Sequence, residues 1–295
     1  MGLAFVVCPA LPITSGTLAG AGDRRERDEG AAGMQQMELT SIDGIRLEAA
    51  VHPARAQGQR GVVIQAHGIN ANMTEGGMFV RLADRLADAD FNVLRFSFRG
   101  HGGSGGTQRG MTIAGEMLDL QAAVEYVTDR FPGALSIVAS SFGAVSTSLS
   151  LPWLDERLDR LALWNPVLDL QRTFINPELP WGAENYNPGQ QKLLSTQGFL
   201  VIDDEFELGR VLFEEFHYYE PLNYLVASTV PALVVHGDQD NAVSYEIARQ
   251  AAAARPNTDF HTVRGSDHGF DTQEREDEAA AVTAEWLINK ERERA

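Results

Sequence analysis

Short apolar runs alternate with helical patterns along most of the chain. The clearest run, at residues 61–66, is continuous and rich in β-branched side chains, as in a strand covered on both faces. The predicted strands are 61–66, 92–98, 135–139, 161–164, 232–235 and 260–263. The predicted helices are 79–89, 113–131, 247–254 and 279–289. Strands that alternate with helices predict an α/β protein with a mostly parallel, doubly wound sheet and helices on both faces.

The N-terminal segment, residues 1–36, differs from the rest. Residues 1–22 carry no charge, and a charged, glycine-rich stretch follows at 23–33. We expect a disordered extension, or a true start at Met34 or Met37. Because the positive n-region of a signal peptide is missing, we expect a cytoplasmic protein, with secretion as the less favoured alternative. From Met37 the chain becomes regular, and Asp43-Gly44 predicts a hairpin turn.

Composition excludes several classes of protein. The chain has 24 basic and 41 acidic side chains and a formal net charge of -17, so it lacks the cationic surface that a nucleic-acid partner requires. The single cysteine, Cys8, excludes an internal disulfide and a CxxC zinc site. No run approaches the ~20 apolar residues of a membrane span. We therefore expect no nucleic-acid or membrane partner, no metal and no cofactor.

A serine at the end of a predicted strand is the strongest chemical signal. The strand stops abruptly and a helix of small residues follows, so a serine in the turn projects above the sheet near the positive end of that helix. Small residues are needed two positions before and after the nucleophile. Ala139 and Gly143 fill these positions for Ser141, whereas Phe142 would fill one for Ser140. We predict Ser141 as the nucleophile, in a G-x-S-x-G motif altered by one methyl; the alternative is a turn with ordinary capping serines.

A carboxylate and a histidine follow two later strands. Asp240 lies in the first of these loops and His268 in the second, with Asp238 as an alternative carboxylate. The chain order serine, aspartate, histidine, here Ser141, Asp240 and His268, is one of the known orders of a catalytic triad. Each residue follows a different strand, where an open parallel sheet places its ligand crevice.

The loop after the first parallel strand contains His67, Gly68 and Ile69. We expect the Ile69 N–H to turn inward beside the Phe142 N–H, so that the two form an oxyanion hole. The alternative is a glycine turn that ends the strand, with a structural histidine. In the glycine-rich loop that follows the next strand, we interpret Arg99 and His101 as structural ties.

A long segment without the strand–helix rhythm lies between Pro166 and Tyr224. Its length predicts a functional cap, and residues 206–216 can share a helical face. We consider Trp181 and Phe213 as candidate substrate contacts, and Asp203 or Asp204 as a contact to a phenol. The alternative is that most aromatics only build the core of the cap. The aromatic residues are Phe174, Trp181, Tyr186, Phe199, Phe206, Phe213, Phe216, Tyr218 and Tyr219.

From about Met37 onward the chain resembles the α/β-hydrolase superfamily, and within it the bacterial capped esterases of the feruloyl and cinnamoyl esterase type. The resemblance implies a core at 37–166 and 226–295, a cap at 167–225, Ser141 as nucleophile, His268 as base and Asp240 as its orienting acid. The matching residues are His67-Gly68, Arg99 to Ser104, Ser141 to Gly143, His236-Gly237 with Asp240 and Val243, and His268 with Phe270.

The expected activity is hydrolysis of a small-molecule ester or thioester. A homodimer is a possible oligomeric state that the sequence does not decide. The altered elbow also resembles acyl-carrier thioesterases and acyltransferases, and a serine peptidase or a carbon–carbon bond hydrolase would carry the same triad. A serine at position 141 argues against the enzymes of this fold that use an aspartate or a cysteine. A binding protein on a retired scaffold is disfavoured because no triad residue is missing.

Overall fold

The computed structural model describes residues 33–56 and 60–289, and a central sheet organises them. The strand order is β1-β2-β4-β3-β5-β6-β9-β10. Strand β2 pairs antiparallel with β1 on one side and with β4 on the other. All further neighbours in this order, from β4 across to β10, pair in parallel. The sheet strands are β1 Gln35–Thr40, β2 Arg46–His52, β3 Gly61–Ala66, β4 Phe91–Phe96, β5 Ala134–Ser140, β6 Leu158–Trp164, β9 Ala232–Gly237 and β10 Thr258–Val263; the cap holds β7 Phe199–Ile202 and β8 Phe206–Gly209.

Helices cover both faces of the sheet. Strand β3 shows why: Ile64 faces the core beneath α2, α3 and α8, whereas Val63 faces α1 and α9. The doubly wound α/β architecture is therefore as predicted. The helices are α1 Met78–Asp88, α2 Ile113–Arg130, α3 Gly143–Leu154, α4 Pro180–Asn185, α5 Pro188–Gln197, α6 Arg210–Glu215, α7 Pro221–Ala227, α8 Tyr245–Ala253 and α9 Gln273–Asn289.

Helix α2 illustrates how the sequence specifies these elements. The Thr112 side chain accepts a hydrogen bond from the Gly115 N–H and caps the helix, a contact worth about 1 kcal/mol. Leu120, Val124 and Val127 are fully buried against the sheet, and each side chain contributes roughly 1.5–3 kcal/mol through burial. No described helix is long and apolar enough to cross a membrane.

Two element predictions need correction. Residues 206–216 are not one helix: β8 pairs antiparallel with β7, and Val211 on α6 is 58% exposed. The turn that precedes β8 contains Asp203 and Asp204 with positive φ values of 52° and 58°, a left-handed conformation that reverses the chain so that β8 pairs with β7. Helix α9 begins at Gln273 rather than at the predicted residue 279. The apolar pattern did not reveal its first turns, because they are polar and mostly exposed.

The cap lies between β6 and β9. Its core contains Phe174, Tyr186, Leu200, Leu208 and Phe216, and it is continuous with Phe142, the residue before α3. Helix α7 instead packs on the main core through Leu225, so the predicted cap boundary at residue 225 falls inside a helix of the core. At the other end of the chain β1 begins at Gln35 and pairs with β2, so the last two residues of the expected disordered extension, residues 1–36, belong to the sheet. Residues 1–32 lie outside the described residues.

Candidate active site

Ser141 occupies a sharp turn between β5 and α3. Its φ is 49°, in the left-handed region where a residue that is not glycine is strained, and its N–H donates to the Trp164 carbonyl at 2.8 Å. The turn brings α3 so close to β3 that a Cβ at Gly143 would lie 2.5 Å from the Ala66 carbonyl oxygen. The methyl of Ala139, where the usual motif has glycine, is fully buried in the core. The elbow thus tolerates alanine before the serine but requires glycine after it.

The structure brings the three predicted triad residues together. Ser141 Oγ lies 2.9 Å from His268 Nε2, and His268 Nδ1 lies 2.8 Å from Asp240 Oδ2. Ser141 and His268 are partly exposed to a pocket, whereas Asp240 is buried. The geometry allows the imidazole to accept the serine proton at Nε2 while it donates its Nδ1 proton to the carboxylate.

Asp240 is held by four hydrogen bonds. Its Oδ1 accepts from the Ala242 and Val243 amides at 2.9 and 2.8 Å, and its Oδ2 accepts from His236 Nε2 at 3.0 Å as well as from His268. Burial opposes ionisation, but the charge of His268 and the two imidazole hydrogen bonds outweigh it and hold the pKa of Asp240 below its ordinary value. Asp240 is therefore an ionised carboxylate.

Asp238, the alternative acid, has a different role. Its Oδ1 accepts a hydrogen bond from the Gly265 N–H at 2.6 Å, which ties the β9 loop to the β10 loop. Within the described residues, its side-chain hydrogen bonds do not include His268. Asp240 is thus the carboxylate that the structure places beside the histidine.

The His268 side chain is only partly exposed and has several negative neighbours. Burial alone would lower the pKa of the imidazole, but Asp240, Glu75 and Asp267 outweigh it, and the pKa of His268 is raised above its ordinary value. The Asp267 carboxylate also accepts the His268 backbone N–H at 2.8 Å. The raised pKa favours the imidazolium that a general base becomes when it takes up a proton.

The two predicted oxyanion donors are near the serine: Ile69 lines the same pocket as Ser141, and Phe142 is the next residue in the chain. In the described part of the chain, neither the Ile69 N–H nor the Phe142 N–H donates a hydrogen bond to another group. The preceding residue, Gly68, is so close that a Cβ there would lie 3.2 Å from Ser141 Cβ. His101 Nε2 donates to the Ile69 carbonyl at 2.6 Å and fixes the peptide that follows the predicted donor. Two free backbone donors beside a nucleophile suit a developing oxyanion.

Glu75, a site residue that sequence reasoning missed, lies beneath the serine. Its Oε2 accepts a hydrogen bond from the Gly68 N–H at 3.0 Å, and its Oε1 accepts one from the Ser140 hydroxyl at 3.1 Å. Burial raises the pKa of Glu75, although these two hydrogen bonds and the charge of His268 act against that. The sequence gives no signal for this residue, since one acid in a polar loop resembles any surface glutamate. His236, which donates a hydrogen bond to Asp240, is predicted from the sequence only as part of a family motif.

The serine opens into a small pocket between the core and the cap. The pocket encloses about 400 Å³ of empty space, the solvent at its mouth included. Most of its wall is apolar, and the carboxylate of Asp203 is the acidic group in that wall. The lining residues are Ile69, Asn70, Ser141, Val167, Thr173, Phe174, Trp181, Asp203, Ala242, Val243 and His268.

The two aromatic candidates occupy different places. Trp181 lines the pocket, as expected for a substrate contact. Phe213 does not: its ring packs against Tyr186 and Phe216 in the cap, with centroids 6.1 and 5.9 Å away, and it borders a separate cleft beside His217. Phe213 is therefore corrected as a candidate substrate contact: its ring belongs to the core of the cap and does not line the pocket of Ser141.

Asp203 connects the cap to the loops of the core. Its carboxylate accepts hydrogen bonds from Asn70 Nδ2 at 2.8 Å and from Trp181 Nε1 at 2.7 Å. The backbone N–H of Trp181 donates to the carbonyl of Asn241 at 3.2 Å, directly after Asp240. The cap is thus fixed on one side to the loop after β3 that contains Ile69 and Asn70, here called the oxyanion loop. On the other side it is fixed to the loop after β9 that contains Asp240. Asp204, the other acid considered, is not among the lining residues.

Comparisons with known proteins agree with this architecture. The family model of the serine aminopeptidase S33 type matches residues 57–197. Among curated proteins, the uncharacterized protein YfhR of Escherichia coli strain K12 is 27% identical over 221 residues, and its counterpart in strain O157:H7 is 25% identical over 219. Each alignment covers 72% of this chain, which spans 65% of the length of each relative.

Solved structures match over most of the chain. Est1E from Butyrivibrio proteoclasticus with bound ferulic acid has a TM-score of 0.71 and 22% identity, over 87% of this chain and 98% of its own. The Pyrococcus furiosus esterase Pf2001 has a TM-score of 0.66 and 22% identity, over 86% and 90%. These matches show that the chain has the α/β-hydrolase fold, as predicted.

Proposed function

We propose that this protein is a serine hydrolase that cleaves a carboxylic ester through an acyl-enzyme intermediate. The observation that carries the proposal is the continuous chain of hydrogen bonds from Ser141 through His268 to Asp240, with the serine facing a pocket. Among the similar solved structures, Pf2001 is named an esterase and Est1E contains bound ferulic acid, which supports an ester as the substrate. A buried carboxylate, an imidazole and a strained serine in this arrangement suit acyl transfer.

In the first step His268 Nε2 takes the proton of Ser141 while Oγ attacks the ester carbonyl. The Ile69 and Phe142 amides donate to the resulting oxyanion. Collapse of the tetrahedral intermediate breaks the bond to the leaving group, which departs as an alcohol with the proton from His268. Water then attacks the acyl-enzyme and gives one proton to His268, and His268 passes that proton to Ser141 Oγ as the bond to the acyl group breaks and the acid is released.

Thioesters and peptides are the competing substrate classes. A thioester would follow the same steps, with a thiol as the leaving group. An aminopeptidase activity is favoured only by the description of the matched family model. Asp203 is the one acidic residue among those that line the pocket and would suit a substrate amine, but its carboxylate already accepts hydrogen bonds from Trp181 of the cap and from Asn70. An ester therefore fits the site best.

The test is turnover of four substrate classes by the purified protein: p-nitrophenyl butyrate, methyl ferulate, an acyl-coenzyme A and an aminoacyl p-nitroanilide. We expect the two esters to be hydrolysed fastest. Ser141→Ala should lower the rate by about 10⁵–10⁶-fold, whereas Ser195→Ala, an exposed serine of the cap, should leave it unchanged. A faster reaction with the anilide, or a normal rate in Ser141→Ala, would contradict the proposal.

A further inference from the structure

Glu75 lies in an unusual backbone conformation between β3 and α1. Its φ is 46°, and the left-handed conformation continues through Gly76 and Gly77 with φ values of 60° and 95°. A glutamate in this region is strained and persists only where its surroundings hold it. Here the strained backbone turns the side chain inward, and Glu75 is buried. The triad and the oxyanion hole do not account for a buried acid at this point.

The carboxyl of Glu75 joins the two loops that carry the catalytic machinery. Oε2 accepts from the Gly68 N–H, one residue before the Ile69 donor, and Oε1 accepts from the Ser140 hydroxyl, one residue before the nucleophile. A Cβ at Gly68 would lie 3.5 Å from Glu75 Oε1 and 3.6 Å from Ser141 Oγ. The glutamate therefore sets the distance between the oxyanion loop and the elbow directly beneath the reacting atoms.

We propose that Glu75 is a positioning residue for the ester hydrolysis proposed above: its carboxylate holds the oxyanion loop against the nucleophile elbow. Since this inference rests on the proposed function, its test includes a measurement that needs no substrate. Both oxygens of the carboxyl accept hydrogen bonds, which is the pattern of an ionised carboxylate.

The effect of the Glu75 charge on His268 can be separated from that of the other charges around the imidazole. Asp240 from the β9 loop, Asp267 beside the histidine and Glu75 from the oxyanion side all raise the pKa of the imidazole. Asp240 also accepts from His236. Removal of the charge of Glu75 alone should therefore lower the pKa of His268 without disturbing its hydrogen bond to Asp240.

The test compares Glu75→Gln with Glu75→Asp. Glutamine keeps the size and one acceptor oxygen but removes the charge, so we expect the pKa of His268, followed by NMR of the imidazole without substrate, to fall, and the acid limb of kcat to move to lower pH. Aspartate keeps the charge but is too short to reach both partners. We expect it to lower kcat roughly 10- to 100-fold, with KM within about twofold of wild type and the acid limb in place.

The matched control is Glu116→Gln, which removes another buried acid with no hydrogen bond to the described site residues, and it should change neither readout. If Glu75→Gln does not fold, Ser140→Ala provides the second test, because it removes one partner of the carboxylate and should lower kcat without moving the acid limb. An unchanged pKa of His268 in Glu75→Gln, or an unchanged kcat in both Glu75→Asp and Ser140→Ala, would overturn the inference. A wild-type protein without ester turnover would instead overturn the proposed function, and the NMR titration would still test the charge of Glu75.

Discussion

Replacement of Asp240 by asparagine should place the wrong tautomer on His268. The Ala242 and Val243 amides lie 2.9 and 2.8 Å from Oδ1 and require an acceptor, so the asparagine oxygen must take that position. Its NH₂ group then points at His268 Nδ1, where the carboxylate oxygen now lies 2.8 Å away. The imidazole can only accept at Nδ1, so its proton moves to Nε2 and it can no longer take the proton of Ser141.

We expect kcat/KM for p-nitrophenyl butyrate at pH 7 to fall by about 10⁴-fold, which corresponds to about 5 kcal/mol of transition-state stabilisation. His236 does not oppose the change, since its Nδ1 has no partner in the described structure and its proton can move there. The melting temperature should therefore stay close to that of wild type. Asp238→Asn is the matched control and should retain most of the activity. A loss of less than tenfold in Asp240→Asn, or an equal loss in Asp238→Asn, would refute the reasoning.

Three further predictions concern pH and the pocket. Because the pKa of His268 is raised from 6.5 and protonation removes the base, the acid limb of kcat/KM should have its midpoint above pH 6.5; a midpoint well below that value would contradict the account. Asp203→Ala removes the hydrogen bonds to Asn70 and Trp181 and should raise KM about fivefold, whereas Asp204→Ala should not; equal effects would show that Asp203 does not hold the cap. The pocket of about 400 Å³ should favour short acyl groups, so kcat/KM should fall at least about tenfold from p-nitrophenyl butyrate to the palmitate, and equal rates would mean that the cap opens widely.

The strands and the order of the triad could be predicted because they depend on local patterns. A continuous apolar run such as Gly61–Ala66 can be stable only between two layers, and β3 is buried throughout. Once such runs are parallel, their carboxyl ends meet at one edge. The loops that carry Ser141, Asp240 and His268 therefore converge, although 127 residues separate the first from the last.

The structure of the cap and the role of Glu75 depend on contacts between residues far apart in the chain. A local sequence pattern gives no information on such contacts. Residues 206–216 carry apolar side chains at helical spacing, yet the left-handed turn at Asp203 and Asp204 makes the first part a strand. The role of Glu75 depends on partners at Gly68 and Ser140, and an acid in a loop does not indicate such partners. Phe213 was misassigned for the same reason.

Covalent labelling with a fluorophosphonate tests the central claim most directly, because it reports an activated serine whatever the natural substrate is. Intact mass spectrometry should show one adduct per chain at neutral pH, and peptide mapping should place it on Ser141. The Ser141→Ala variant should stay unmodified, and Asp240→Asn should react far more slowly. A wild-type protein that stays unmodified, or an adduct on Ser140 or on a serine outside the pocket, would contradict the account.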